Sequence, residues 1–510
     1  MFGRVRVNSG AAEDVSEESF DSGSGNGPSA AVAASDNPGW WTGVDSAKIP
    51  RSASETQDAR PRVLMSAFTC DPDSGSEPGV GWRWACEAAR SVDVWVMTRE
   101  LYRDAITSAE RQAPSGVNWV FLDVPRWTLA WGITRHWRPL FEMAYWLTHR
   151  LWQRKAYLIA RTLDATVKFD IVHHVTFGSC LTATYLDRLG IPFVWGPLGG
   201  AERTPPSFLA SYDARAKFHD AVRSARILIL KLSRGLRHRA TVAACVIAKS
   251  RETEQYLRAE GSSRVVLYPE AGADPSEVDI SVRARNVQEN ALVVVSVGRL
   301  LAWKGYHLAM DAIGRCIADG IDVSYVVIGT GPERGSLGRQ AAALGIADQV
   351  RFLGWVERAA VADQLRASDV FIHPSLHDSG GWACIEAMSA GLPVVCLDLG
   401  GPAVTVPRDA GIHIGAVALQ DCIGDLTRAL ATLAHNPTSR QEMGRRGAQH
   451  VLSHLLWETK GDFLSEMYHR VVREVPRCVR SGQVSRSLSC ADSNSQPTCP
   501  EYGITGADTQ

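Results

Sequence analysis

The chain has 510 residues, a formal net charge of -1 and 45% hydrophobic residues. That length predicts two or three domains, and the composition is that of a globular protein. The balanced charge excludes a general nucleic-acid binder, which would carry a basic excess. Residues 1–60 are rich in Ser, Gly, Ala and acidic side chains and poor in large apolar ones, which predicts a disordered tail. From Arg62, short apolar runs alternate with helical patterns. The strands predicted in the first half are Arg62–Phe68, Val92–Met97, Trp119–Val124, Ile171–Val175, Pro192–Trp195 and Cys245–Ala248. A polar stretch, Ala271–Asn290, marks a join. Beyond it come Leu292–Val297, Val323–Ile328, Val350–Phe352, Val370–His373 and Pro393–Cys396. Trp457 opens a last helix ending near Val472, and residues 474–510 read as a second disordered tail.

Continuous apolar strands separated by helices predict parallel sheets covered on both faces. Two such series predict an α/β chain of two Rossmann-like, doubly wound domains facing an interdomain cleft, over residues 61–275 and 276–455. Residues 456–473 form a helix placed to cross back to the first domain.

The 11 cysteines are scattered from Cys70 to Cys499 without a CxxC pair or a Cys/His cluster. They read as reduced thiols, and no metal site is expected. The opening residues lack the apolar stretch of a secretory signal, and no apolar run approaches bilayer-spanning length. The expected location is cytoplasmic. Two stretches leave peripheral attachment to the inner face of a membrane open. Trp127–Lys155 sets Trp127, Trp131, Trp137, Trp146 and Trp152 among basic residues, and Lys217–Arg239 mixes Ile227–Leu232 with Arg223, Arg226, Lys231, Arg234, Arg237 and Arg239. Basic residues beside Trp and Leu suit a helix at an anionic membrane surface, and equally a helix packed into a core.

In doubly wound sheets ligands bind at the carboxyl ends of strands. Strand Leu292–Val297 delivers Arg299 and Lys304, whose donors suit phosphate oxygens. Strand Val370–His373 delivers Asp378, then Gly380 and Gly381 at a helix start, where free N–H groups favour an anion. Glu386 follows inside that helix. In isolation, Asp378 reads as a capping residue and Glu386 as an exposed helical Glu. On the first-half side, strand Arg62–Phe68 feeds a loop holding Gly75, Ser76, Glu77 and Gly79, with a helix expected beyond Trp82. His173 and His174 end the strand Ile171–Val175 and point to opposite faces, so one of them can meet the cleft, and His174 is the preferred one. Glu202 is a candidate acceptor contact in the loop Gly196–Glu202.

The motifs G-R-L-x-x-x-K-G, V-V-I-G-T-G-P, F-L-G-W-V and H-D-S-G-G-W-x-x-x-E-A-M-x-A-G-L-P-V-V, in that order, resemble the retaining family-4 glycosyltransferases of the GT-B fold. G-S-E-P-G-V-G-W in the first half resembles a bacterial subset of them. The resemblance implies that Arg299 and Lys304 hold a donor diphosphate, and that Asp378, Gly380 and Gly381 meet the donor sugar and phosphate. It further implies that Glu386 meets the nucleotide ribose, that Gly354 lies where backbone reaches the base, and that a His at the strand end faces the sugar. His174, Asp378 and Glu386 would then form the catalytic set. The first acid of the family's Glu-x7-Glu pair is here Asp378, one methylene shorter. The implied reaction moves a sugar from an NDP-sugar, a co-substrate with no further cofactor, to a hydroxyl of a glycan or lipid-linked acceptor, as in polysaccharide or glycolipid assembly. A silent NDP-sugar-binding scaffold and a nucleotide-sugar epimerase of the same fold are the alternatives.

Overall fold

The computed structural model describes residues 60–123, 138–279 and 292–474. The predicted tails, the rest of the join, and Trp127, Trp131 and Trp137 lie outside these residues. The first sheet has seven parallel strands in the order β3-β2-β1-β4-β5-β6-β7. They are β1 (Arg62–Ala67), β2 (Asp93–Arg99), β3 (Asn118–Leu122), β4 (Ile171–Thr176), β5 (Phe193–Leu198), β6 (Ala243–Ala248) and β7 (Val265–Leu267). Every residue of β4, β5 and β6 is buried, which explains their unbroken apolar runs. The accompanying helices are α1 (Ser76–Ala89), α2 (Arg103–Gln112), α3 (Arg138–Val167), α4 (Ala214–Lys231), α5 (Arg234–Val242) and α6 (Arg251–Ala259).

The second sheet has six parallel strands in the order β10-β9-β8-β11-β12-β13. They are β8 (Leu292–Val297), β9 (Val323–Ile328), β10 (Val350–Gly354), β11 (Val370–His373), β12 (Val394–Leu397) and β13 (Gly411–Ile414). With them run α7 (Tyr306–Ala318), α8 (Arg334–Ala343), α9 (Arg358–Arg366), α10 (Trp382–Ser389), α11 (Pro402–Thr405), α12 (Leu419–His435) and α13 (Pro437–His454). The sequence reading lacked β7 and β13. Both are short edge strands, which pair on one side only and need no long apolar run.

Helix α14 (Trp457–Glu474) returns to the first domain. Its Phe463, Leu464, Met467, Tyr468 and Val471 share a core with Val63 and Trp84. A second tie runs the other way. Phe208, from the short segment Pro206–Ser211 of the first domain, is fully buried among Leu308, Ile313 and other core residues of the second. Ser211 Oγ lies 2.9 Å from His307 Nε2 beside it. Arg83 of α1 donates both guanidinium nitrogens to Asp274 on the connecting segment.

Helix α1 begins at Ser76, earlier than the expected start beyond Trp82. A Cβ at Gly79 would sit 2.3 Å from the Ser74 carbonyl oxygen, and one at Gly81 2.2 Å from that of Thr69. These glycines therefore let the helix lie against the loop that follows β1. Both glycines serve this close packing, and Gly79 is one of the loop residues named as candidates on this side.

Candidate active site

Between the two sheets, at the carboxyl ends of their strands, lies a cavity of about 710 Å³. Arg299, Lys304, Asp378, Gly380, Gly381 and Glu386 line it from the second domain, and Ser76, Glu77 and Glu202 from the first. His174, Gly75, Gly79 and Gly354 are not part of the lining.

The second-domain wall is built around one carboxylate. Lys304 Nζ donates to Asp378 Oδ2 at 2.5 Å, and His373 Nε2 lies 3.0 Å from the same oxygen. The Gly380 N–H donates to the other oxygen at 3.3 Å. Burial pushes the Asp378 carboxyl upward, but Lys304 and His373 outweigh it and hold the group well below the usual range. Asp378 is therefore an anion fixed by its neighbours, its short side chain drawn onto Lys304. Trp303 stacks on His377 with ring centres 4.5 Å apart and lies under Lys304 Nζ, which bounds this corner. Gly381, at φ +72°, turns the chain into α10. The first N–H groups of a helix have no partner within it, and the dipole adds positive potential at that end. Lys304, exposed Arg299 and the start of α10 thus combine into an anion cradle.

One turn into α10, Glu386 faces both this cavity and a smaller one of about 180 Å³ between α9 and α10. Burial raises its carboxyl to about 7, Arg358 opposing the shift and Glu277 adding to it. Arg358 itself pairs with Glu277 at 2.6 Å. Trp382 Nε1 and Ser389 Oγ, from residues lining the smaller cavity, are buried without a hydrogen-bond partner among the described residues.

The first-domain wall is organised differently. Glu202 is 2% exposed; it accepts from the Gly200 N–H at 2.7 Å, Ser250 Oγ at 2.6 Å and Thr253 Oγ1 at 2.9 Å. These bonds lock the loop after β5 to the start of α6, so Glu202, the candidate acceptor contact, also braces the cavity wall. Glu77 accepts from the Gly178 N–H at 2.5 Å, tying α1 to the loop after β4. Ser76 and Phe177, which both line the cavity, hold φ of 52° and 58°, a region side chains with a Cβ rarely adopt.

His174 is a correction. Both faces of β4 are covered, so its alternating side chains enter the core on either side. His174 is fully buried beside His149 and Gln153, and burial lowers its ring to about 4. His173 bonds to Tyr468 Oη and the Gly196 carbonyl, both at 2.7 Å, and so pins α14 to β5. The chain reaches the cavity only after β4, at Phe177–Ser179. Gly354 is likewise not brought to the cavity. It ends β10, accepts from the Gly329 N–H and has open space around its Cα.

Among the lining residues the sequence reading did not name are Lys249 and Glu270. Lys249, just past β6, donates to Glu270 at 2.7 Å, and both are less than a tenth exposed. Burial opposes the Lys249 charge, but Glu270 and Glu77 outweigh it and raise the ammonium above its usual range. The strand-end rule that found Arg299 would have found Lys249 had it been applied to Cys245–Ala248. Among the described residues, no three His, Cys, Asp or Glu side chains are grouped to hold a metal ion.

Residues 278–450 match the family model for glycosyl transferases group 1. All four second-half motifs fall inside that match. The chain is 30% identical over 241 residues to a D-inositol 3-phosphate glycosyltransferase of Gordonia bronchialis, covering 42% of this chain and 51% of that protein. It is 30% identical over 168 residues to a 2-deoxystreptamine glucosyltransferase of Streptomyces kanamyceticus, covering 33% and 43%. The chain thus spans about half the length of the curated relatives it matches. A sucrose-phosphate synthase of Thermosynechococcus elongatus superposes with a TM-score of 0.51 at 18% identity, over 82% of this chain and all of that one. A glycosyltransferase of Rickettsia africae gives 0.51 at 12% identity, again over 82% of this chain and 100% of that chain. These likenesses show the fold, which is GT-B.

Proposed function

We propose that the chain transfers a sugar from an NDP-sugar to a hydroxyl of a glycan or lipid-linked acceptor, with retention of configuration. The observation that carries this reading is the anion cradle of Lys304, Arg299 and the α10 start, set beside a fixed carboxylate in the interdomain cavity. The breaking bond joins the anomeric carbon to the diphosphate oxygen, and negative charge builds on that oxygen. Fixed cations and helix N–H groups stabilise the charge without reorganising. Positive charge builds on the sugar ring, and ionised Asp378, shared with Lys304, sits where it can offset it. The acceptor oxygen attacks on the face the diphosphate leaves, and its proton passes to the departing phosphate. Glu386 holds the ribose, and the base extends towards the smaller cavity, where Trp382 Nε1 offers a donor. Closure of the two domains excludes water from the reacting sugar.

The test is thermal stabilisation of the purified chain by a panel of nucleoside diphosphates and their sugars, since a ligand held only by the folded state raises its stability. One nucleotide should shift the melting temperature, and Arg299→Ala and Glu386→Ala should remove the shift. A panel without any shift would overturn the donor reading. A shift accompanied by interconversion of the donor sugar, without an acceptor, would make the chain an epimerase.

A further inference from the structure

Helix α4 presents two opposed faces. Ala216, Asp220 and Arg223 turn to the cavity, and Ile227 continues this side into the first-domain core. On the opposite side Phe218, Val222, Ala225 and Ile229 recur at helical spacing and are exposed, Phe218 and Ile229 by 65% each. Leu228 is 60% exposed on its flank, and Leu232, just past the helix end, 79%. Exposed Lys217 borders this stripe on one side, and exposed Arg215, which also lines the cavity rim, on the other. Arg226 stands over the Trp146 ring with its guanidinium carbon 3.4 Å from the centroid, joining α4 to α3 at the cavity rim.

We propose that this face of α4 docks on an anionic lipid surface, and that the acceptor reaches the cavity across the width of this one helix. The second clause rests on the transferase reading; the docking itself does not. A water-facing stripe of Phe, Val, Ile and Leu is unfavourable in solution and favourable at a bilayer interface. The bordering cations match negatively charged headgroups. No described helix is long and apolar enough to span a membrane, so the attachment is to the surface. Because the cavity face of α4 stays occupied by the site, a lipid-held acceptor would project its sugar or headgroup past Tyr212 and Arg223.

The experiment is co-sedimentation of the full chain with phosphatidylglycerol vesicles and with phosphatidylcholine vesicles, at low salt and at about 0.5 M salt. The chain should pellet with phosphatidylglycerol at low salt and much less at high salt. The double variant Phe218→Gln/Ile229→Gln should bind at least about tenfold more weakly, and Lys217→Gln about fivefold. All three positions are exposed, so melting temperatures should match the parent, and the nucleotide-induced shift should persist in every variant. No pelleting with phosphatidylglycerol at low salt would overturn the proposal, as would equal pelleting of the double variant. A dimer in light scattering that the double variant dissolves, without vesicle binding, would assign the stripe to self-association and overturn it too. Vesicle binding with no nucleotide shift would sink the donor reading and leave the docking intact.

Discussion

The two walls of the cavity use charge for different ends. On the second-domain wall, Lys304, Asp378 and the start of α10 come from two loops and face the space a ligand would fill, with buried His373 at the end of β11 behind Asp378. On the first-domain wall, Glu77 and Glu202 are tied by bonds from neighbouring loops and helix starts. The first arrangement is an open cradle; the second is a frame. Similar lining residues therefore have opposite expected phenotypes, and substitution can separate them.

The largest effect should come from Lys304→Ala. On the proposed reading it removes a cation from the leaving diphosphate, and it removes the partner that keeps Asp378 ionised, so turnover should fall about 10²- to 10³-fold. Melting should change little by comparison. Glu202→Ala should do the reverse, leaving the donors of Gly200, Ser250 and Thr253 unsatisfied. We expect a loss of about 3 kcal/mol by denaturant titration, with turnover of the folded fraction close to the parent. If Glu202→Ala loses turnover and keeps its stability, the wall is chemical and the contrast fails.

Phe208→Ala tests whether the walls are mechanically separate. The side chain belongs to the first domain but is fully buried in the core of the second. Truncation should cost about 3 to 5 kcal/mol. It should also split a single unfolding transition into two as the domains lose their tie. A small, single-transition shift would show that the segment adapts freely.

Acidity separates the walls more gently. The Glu386 carboxyl is raised to about 7, so the folded chain keeps a proton that the unfolded chain releases above the ordinary carboxylate range. Its contribution to stability therefore falls as pH rises from there towards 7, then levels off. Glu386→Gln should melt higher than the parent above pH 7 and lose ribose binding. Donor affinity of the parent should rise as the carboxylate ionises near pH 7, and the variant's profile should be flat there. A parent profile without an inflection would remove Glu386 from the ribose.

The same contrast explains what could be read in advance. The parallel sheets were legible because continuous burial on both faces demands continuous apolar runs, as in Val323–Ile328. The cradle was legible because Arg299, Lys304 and Asp378 each follow a strand within a few residues and keep their charge at the surface of a loop. The frame was not. Whether Glu202 meets a ligand or the Ser250 hydroxyl depends on how the loop after β5 folds against α6, 48 residues apart in the chain. His174 failed for a related reason: alternation along β4 gives two faces, and both were covered. The Phe208 tie was not legible either, because one phenylalanine after two prolines carries no periodicity.

The smallest effect lies on α14, where the chain crosses between the two halves. Lys460 is fully buried, and its Nζ has no hydrogen-bond partner among the described residues, only the face of Tyr268 at 4.3 Å. Burial lowers its ammonium to about 7 from an ordinary value of 10.5. Below pH 7 the folded chain carries the buried charge and bears its full desolvation penalty. As pH rises from 7 towards 10.5 the unfolded chain holds the proton more tightly, and the parent gains stability relative to a neutral residue. Lys460→Met should therefore melt higher than the parent by a few degrees at pH 6, and the gap should close by about pH 10. Turnover should not change, because the residue faces the core of α14 and not the cavity. A variant that melts lower at pH 6 would show that the cation–π contact with Tyr268 outweighs burial, making Lys460 part of what holds the crossing helix in place.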